Sequence, residues 1–489
     1  MPSDQANAVV SAESAGPWWR QMSGYHWWVL LVATLGWLFD SMDQRLFVLA
    51  RTPALRELLP DAGDAQVADY AGYATSIFIV GWATGGLVFG LFGDRWGRTR
   101  TMTATIVLYS LFTGLSALAV SWWDFALYRF LGGMGIGGEY AAGVALVAEV
   151  VPDRARPYCL GLLQGLAALG QVAGSALSLA LGPQAEIEGV AGWRWLFSVG
   201  VLPALLVVVI RLSLREPESW LRARKEALQV GGDALHKRLG DLGEIFRDRR
   251  WRQHTAIGMT LGMAGQIGLW GIGFWTPELI RGSLLESRQQ AVAANQGIEG
   301  AGLKTAELAA VSTPSAEHAR ATLRRWKAEE DRMVGRGTLL QDMAGMLGIY
   351  AFTLATGRLG RRCTFAIAYL AALLATLFTF GQLQAAADVY WMMPLLGFCV
   401  SSVYGGFAIY FPELYPTRLR STGTGFCYNV ARYVTALGPL ALGKLTLLYT
   451  SLGHGMPLRP AAMTLSAVYL VGIVVLPFAP ETKGKPLPD

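Results

Sequence analysis

Asp40 and Asp43 flank Ser41-Met42 inside a long apolar run. Three residues apart, they share one face of a helix. Two carboxyls held together away from water can exchange a proton near neutral pH, which is what a proton-coupling site requires. The plainer alternative is a structural ion pair of Asp43 with Arg45 or with a neighbouring helix. Glu139 follows the run Gly132-Gly133-Met134-Gly135-Ile136-Gly137-Gly138. Deep among glycines it needs a partner or a proton, and it joins the coupling candidates. Ten residues earlier, about 15 Å along a helix, Arg129 either meets a substrate or snorkels to the membrane surface. Arg432, within Tyr428-Asn429-Val430-Ala431-Arg432-Tyr433, is too deep for water. Its planar fork suits a carboxylate, and the competing reading pairs it with Asp342. The expected substrate lining is therefore Arg129, Asp342, Asn429, Arg432 and Tyr433, with Gln164, Gln171, Gln266, Trp270, Gln341 and Tyr404 around them. Any one of those polar side chains alone is more often glue between helices.

A second set of charges sits where apolar stretches end. Asp94, Arg95 and Arg98 mark one boundary, Glu149 and Arg156 another, and Arg358, Arg361, Arg362, Glu413 and Arg420 recur later. Partly desolvated charges hold helix ends together when packed and release them when water enters. Arginines alone would serve as topological anchors, but topology gives no reason for the acids Asp94, Glu149 and Glu413. The expectation is a gate in which Asp94 and Arg98 pair with each other and with Glu149 and Arg156. Arg358, Arg361 and Arg362 are expected to face Glu413 and Arg420.

The elements that position these groups follow from composition. Of 489 residues 53% are hydrophobic and only 16% charged, where a soluble protein carries about a quarter. Much of the surface must face lipid. The net charge of +6 does not imply nucleic acid, because the basic residues fall between apolar stretches. Cys159, Cys363, Cys399 and Cys427 lie in apolar segments or at their ends, with no disulfide framework or metal-ligand spacing. No metal, cofactor or enzyme activity is expected. The first 24 or so residues are polar and lack the apolar core of a signal peptide.

About 20 apolar residues cross a bilayer, and that window finds twelve candidate spans. They are roughly 26–49, 69–92, 101–120, 123–149, 159–182, 195–214, 254–274, 337–356, 364–384, 389–410, 422–446 and 460–478. Glycines inside them let backbones approach closely. No strand precedes the 132–138 run, so a dinucleotide loop is excluded there. Arginines follow spans 2, 4, 8 and 10, none follow spans 3 and 9, and residues 215–252 are strongly basic. The positive-inside rule then puts those loops and both termini in the cytoplasm.

The halves repeat. Glu149-Val-Val-Pro152-Asp-Arg-Ala-Arg156 matches Glu413-Leu-Tyr-Pro416-Thr-Arg-Leu-Arg420 at an offset of 264 residues, as Gly161 and Gly174 match Gly425 and Gly438. Asp94-Arg95-Trp96-Gly97-Arg98 matches Gly357-Arg358-Leu359-Gly360-Arg361 at 263. Gly357 stands where the first half has Asp94, so the second gate cluster should be weaker. Parallel halves of six spans are an established transporter design, with substrate near mid-membrane between them.

Gly90-Leu-Phe-Gly-Asp94-Arg95-Trp-Gly97-Arg98-Thr-Arg100 resembles the loop signature of the major facilitator superfamily. The E-x-x-P-x-x-x-R blocks, Pro217-Glu218-Ser219 and Pro480-Glu481-Thr482-Lys483-Gly484 resemble its sugar-porter and organic-ion branches. Asp40-Ser-Met-Asp43 is similar to the D-G-F-D of aromatic-acid:proton symporters, with Ser41 and Met42 replacing Gly and Phe. Organic-anion carriers place an arginine, as Arg432 here, before a turn like Gly438-Pro439. The match runs from about Tyr25 to the C-terminus apart from one insertion.

The resemblance implies an all-α integral membrane protein of twelve helices in two pseudo-symmetric bundles. Its parts are a tail (1–24), a first bundle (25–214), a central cytoplasmic loop (215–252), a second bundle (253–478) and a tail (479–489). The insertion, about 281–335, reads after Pro314 as a charged helix capping the outer face. The expected function is proton-coupled symport of a small organic anion by a monomer in the bacterial inner membrane. Its partners would be substrate, proton and lipid. A sugar or polyol carrier is the rival, although span 7 offers one glutamine, Gln266, where hexose porters carry a pair. A membrane sensor is more remote.

Overall fold

A computed structural model describes residues 17–62, 64–181, 186–229, 240–272, 275–277, 279–283, 314–435, 438–454 and 456–488. The described helices of the first half are α1 (Gly24–Leu58), α2 (Asp64–Trp96), α3 (Arg98–Ser116), α4 (Trp122–Val150), α5 (Arg156–Leu181), α6 (Gly192–Val199) and α7 (Ala204–Ser213). Two short helices, α8 (Glu218–Gln229) and α9 (Glu244–Arg247), lead to the second half. That half holds α10 (Arg249–Gln266), continued by a π-helical turn (Ile267–Ile272), and α11 (Pro314–Leu359), α12 (Arg361–Gln382) and α13 (Ala386–Glu413). It ends with α14 (Arg420–Thr435), α15 (Gly438–Ser451), α16 (Leu458–Leu465) and α17 (Val468–Val475). Among the described residues, six helical stretches are long and apolar enough to cross a membrane by length and composition.

Local chemistry sets the boundaries. Ser23 and Ser121 cap α1 and α4 through capping boxes closed by His26 and Asp124. Asp248 accepts the N–H groups of Arg250 and Trp251 at the start of α10. Gly97 (φ 113°) and Gly360 (φ 84°) turn the chain between consecutive helices in a region that L side chains avoid. Each motif glycine also leaves room for a carboxylate. A Cβ at Gly97 would collide with Glu216, and one at Gly360 would lie 2.8 Å from Glu481 Oε2.

The glycine run in α4 forms a close seam. A Cβ on Gly133 or Gly137 would strike the carbonyls of Phe78 or Trp82 on α2, and one on Gly135 would reach the Tyr109 backbone of α3 at 2.6 Å. Packing repeats across the halves: α2 on α4 and α11 on α13, α1 on α5 and α10 on α14, α3 on α4 and α12 on α13. The halves meet where α14 packs on α2 and α11 on α5.

Four details differ from the sequence reading. The helical expectation misses a two-residue antiparallel ribbon, Glu186–Ile187 with Val190–Ala191, closed by Glu188 and Gly189 at positive φ. The stretches 195–214 and 460–478 carry turns within their helical course, around Gly200–Pro203 and Ser466–Ala467. The charged helix after Pro314 runs without a break into the apolar stretch as one 46-residue helix, about 69 Å long. Gly335 and Gly337 do not interrupt it, and Gly337 packs close to Val389. The first part of the insertion, 284–313, lies outside the described residues.

Candidate functional site

Two adjoining cavities between the halves share Gln44, Trp82, Trp270 and Arg432 in their walls. The smaller, about 140 Å³, is polar, with Gln164, Gln171, Asp342, Tyr404 and Tyr428. The larger, about 350 Å³, is walled by Phe47, Val48, Phe78 and Ile79, with Arg51 and Thr75 also in its lining.

Arg432 joins the two. Its guanidinium carbon lies 3.6 Å from the centre of the Trp82 ring and 4.8 Å from that of Tyr428. These aromatic faces stabilise a cation that is only 4% exposed. Its Nε has no hydrogen-bond partner. The expected alternative, a pair with Asp342, is not formed. Asp342 instead accepts from Arg45 at 3.0 Å, which also donates to Gln171 at 2.9 Å. The reason is geometric: Arg45 on α1 reaches across to α11, while Arg432 is held against aromatic rings. Among the described residues no carboxylate pairs with Arg432.

The four acids and bases predicted in the first half separate into two pairs away from these cavities. Asp43 accepts from Thr113 at 2.8 Å and meets Arg129 at 3.5 Å, both fully buried. Arg129 is anchored further by donating to Ser116 at 3.0 Å and the Phe112 carbonyl at 3.3 Å, with Phe197 beneath it. It lines neither cavity and does not snorkel. Arg45 is not the partner of Asp43. Asp40 and Glu139 form the second pair, buried side by side, and none of their carboxyl oxygens takes a hydrogen bond from any other group. Gly36 makes the space, since a Cβ there would collide with Glu139 Oε1. Asp40 and Asp43 therefore point to different partners, not to each other.

Aromatic contacts connect the acid pair to the cavity. Glu139, Trp37 and Tyr140 border one small void. Trp37 packs on Tyr140 at 4.9 Å, Tyr140 stacks on Tyr428 at 3.8 Å, and Tyr428 lies beside Arg432.

At the far end of the helices the charge clusters join the two halves. Arg98 binds Asp94 at 3.1 Å and Glu149 at 2.8 Å. Glu149 also accepts from Arg420 of the second half at 3.0 Å and from Ser219 at 3.2 Å. Asp94 accepts the N–H groups of Ser421 (3.1 Å) and Thr422 (2.8 Å), capping α14. Arg98 donates to the Thr417 carbonyl at 2.6 Å. Arg361 pairs with Glu413 at 2.6 Å, and Thr482 donates to that same acid.

Several expected pairings are absent. Arg420 reaches Glu149, not Glu413. Arg156 bonds Asp153 and the Ala148 carbonyl instead of Glu149, because the turn after α4 folds it back. Arg95 donates to the Gly240 carbonyl, and Arg362 to that of Pro477, while the Arg358 carbonyl accepts from Lys483. Glu216 accepts from the Thr99 and Arg100 amides, and Glu481 from those of Arg361 and Arg362. Burial pushes Glu216 above the ordinary glutamate range despite those donors. Burial acts likewise on Glu481, but the amides of Arg361, Lys483 and Arg362 outweigh it and hold it below that range.

Of the remaining expected lining, Gln266 borders the larger cavity while donating to the Tyr428 carbonyl at 2.6 Å. Asn429, Gln341 and Tyr433 do not line either cavity. Asn429 donates to its own helix at Gly425 and fills the space beside Gly86, Gln341 backs onto Gly397, and Tyr433 pairs with Thr84 at 2.7 Å. Sequence reasoning missed Trp37, Gln44, Arg51 and Trp82. Aromatic and glutamine side chains in an apolar run carry no signal for facing a cavity, but Arg51 does, as an arginine just beyond a span. Among the described residues no cluster could hold a metal, and all four cysteines are free.

Comparison with known proteins agrees with this architecture. Residues 55–255 match the family described as "Sugar (and other) transporter". A putative metabolite transport protein of Haemophilus influenzae is 26% identical over 96% of this chain and 99% of its own length. The cis,cis-muconate transport protein of Acinetobacter baylyi is 27% identical over 96% and 98% respectively. Among solved structures, the major facilitator superfamily proton:xylose symporter XylE aligns with a TM-score of 0.68 at 18% identity, over 95% of this chain and 98% of that one. With its helical architecture and duplicated motifs, the chain is a multi-pass membrane protein similar over nearly its whole length to transport proteins and, in fold, to a symporter of the major facilitator superfamily.

Proposed function

We propose that this protein is a proton-coupled symporter of a small organic anion, working by alternating access. The observation that carries the reading is Arg432, a guanidinium in the wall of the central cavity, clamped on Trp82 and lacking a carboxylate partner among the described residues. A buried cation without a counter-ion is costly, and a substrate carboxylate supplies one. The relative named for muconate transport supports an organic anion. The Asp40–Glu139 pair supports coupling: two buried carboxyls with no other donor are satisfied when a proton bridges them. Substrate arrival at Arg432 reaches that pair through Tyr428, Tyr140 and Trp37.

The proposal includes twelve spans in two bundles, residues 215–252 and both termini in the cytoplasm, and the 281–335 insertion outside. It places a monomer in the bacterial inner membrane. The Asp94–Glu149–Arg420 cluster then closes the cytoplasmic side. A sugar or polyol carrier is the second reading, favoured by Gln44, Gln164 and Gln171 in the smaller cavity. Uptake by Arg432→Lys and Arg432→Ala separates them. Lysine keeps the charge but not the paired donors, so both variants should lose transport of an anion. Full transport by both would discard the anion and favour the sugar.

A further inference from the structure

The larger cavity has a second cation in its wall. Its described lining contains Arg51 and Arg432 and no acidic residue. Arg51 donates to Thr75 at 2.5 Å, and its Nε, like that of Arg432, has no hydrogen-bond partner. Arg432 lies against Trp82. Thr75 and Trp82 are seven residues apart on α2, so the two guanidinium groups are anchored about 10 Å apart along the helix. Phe47, Val48, Phe78 and Ile79 form an apolar wall of the same cavity. No Asp or Glu pairs with either arginine among the described residues. Asp342 is taken by Arg45, and Asp43 by Arg129.

We infer that the larger cavity takes a dianion: a short-chain dicarboxylate whose two carboxylates engage Arg51 and Arg432 and whose apolar spine lies along Phe47, Phe78 and Ile79. The inference rests on the organic-anion reading of Arg432 and adds a second anionic group. A monocarboxylate would leave Arg51 facing the apolar wall without a counter-ion. A dicarboxylate neutralises both cations, and each guanidinium can offer two parallel donors to its carboxylate. Arg51 is thereby a specificity residue, choosing diacids over monoacids of equal length.

Matched acids test this on the purified full-length protein. Binding is measured by ligand-induced thermal shift and by calorimetry for succinate against butyrate, adipate against hexanoate, and terephthalate against benzoate. At least one diacid should bind about tenfold or more tightly than its monoacid, as one added charge-assisted contact implies. Arg51→Gln should bring that diacid down to its monoacid, Arg51→Lys should recover part of the ratio, and Arg432→Gln should weaken both acids. The melting temperature of each variant without ligand reports its fold. If no diacid exceeds its monoacid, or if Arg51→Gln weakens both equally, the dianion proposal falls. Monoacid binding that still depends on Arg432 would leave the organic-anion reading standing. Acid binding that ignores Arg432 would overturn that reading as well.

Discussion

The carboxylate of Asp94 caps a helix of the opposite half, its Oδ2 accepting the N–H of Thr422 at 2.8 Å. It also accepts from Ser421 and pairs with Arg98 within its own half. One acid therefore bonds to both halves at the helix ends, where the proposed alternating access would require a contact that can break.

Asp94→Asn should loosen this contact. An amide offers one acceptor oxygen and turns a donor toward the helix end, so a cap worth about 1–2 kcal/mol is lost. Turnover in proteoliposomes should fall several-fold, with a smaller change in substrate affinity of the purified protein. Unchanged uptake at normal expression would remove Asp94 from the gate.

Glu149 holds two buried guanidinium groups, Arg98 and Arg420. Glu149→Gln leaves Arg420 without a counter-ion and Arg98 with Asp94 alone, at a cost of about 3–5 kcal/mol. Glu413 balances one buried arginine, Arg361. Thermal unfolding should therefore show a larger drop for Glu149→Gln than for Glu413→Gln; the reverse order would contradict the cross-half network.

The two acid pairs of the first half should behave differently. Asp40→Asn and Glu139→Gln should abolish accumulation driven by an inward proton gradient while exchange continues, because binding survives loss of the driving ion. Asp43→Asn strands Arg129 and should lower the melting temperature instead. Accumulation that a protonophore does not collapse in the wild type would exclude proton coupling altogether.

Glu216 and Glu481 do equivalent jobs with opposite pH dependence. Glu481 is held low, so its stabilisation is present above the unfolded value of about 4.3 and is lost as pH falls through the folded value. Glu216 is raised, so its contribution is complete below about 4.3 and is lost as pH rises. On acidification the wild type's advantage over Glu481→Gln should shrink, and its standing relative to Glu216→Gln should improve. Melting curves between neutral pH and mild acid check both signs.

Topology is open to labelling on intact cells. In a Cys363→Ser background, which removes an exposed thiol, Arg332→Cys should react with an impermeant reagent and Gln229→Cys should not. The opposite pattern would invert the orientation.

The membrane class, the duplication and the charged positions at span ends were legible in the chain because each is a one-dimensional property. Apolar run length, the offset between Glu149 and Glu413, and the acids at span ends need no partner to be noticed. Partner choice was not legible. Asp40 and Asp43 share a helix face by spacing, yet Gly36 admits Glu139 beside Asp40 while Thr113 and Arg129 claim Asp43. Arg432 and Asp342 look complementary in sequence, and Arg45 intercepts the acid. The Pro-Glu blocks align Glu218 with Glu481, but the tertiary structure gives the capping role to Glu216, two residues before the match. Spacing along a helix fixes which direction a side chain leaves the backbone, whereas its partner depends on how closely another helix approaches. Here that approach is set by glycines whose Cβ-sized gaps become visible only once the helices are packed.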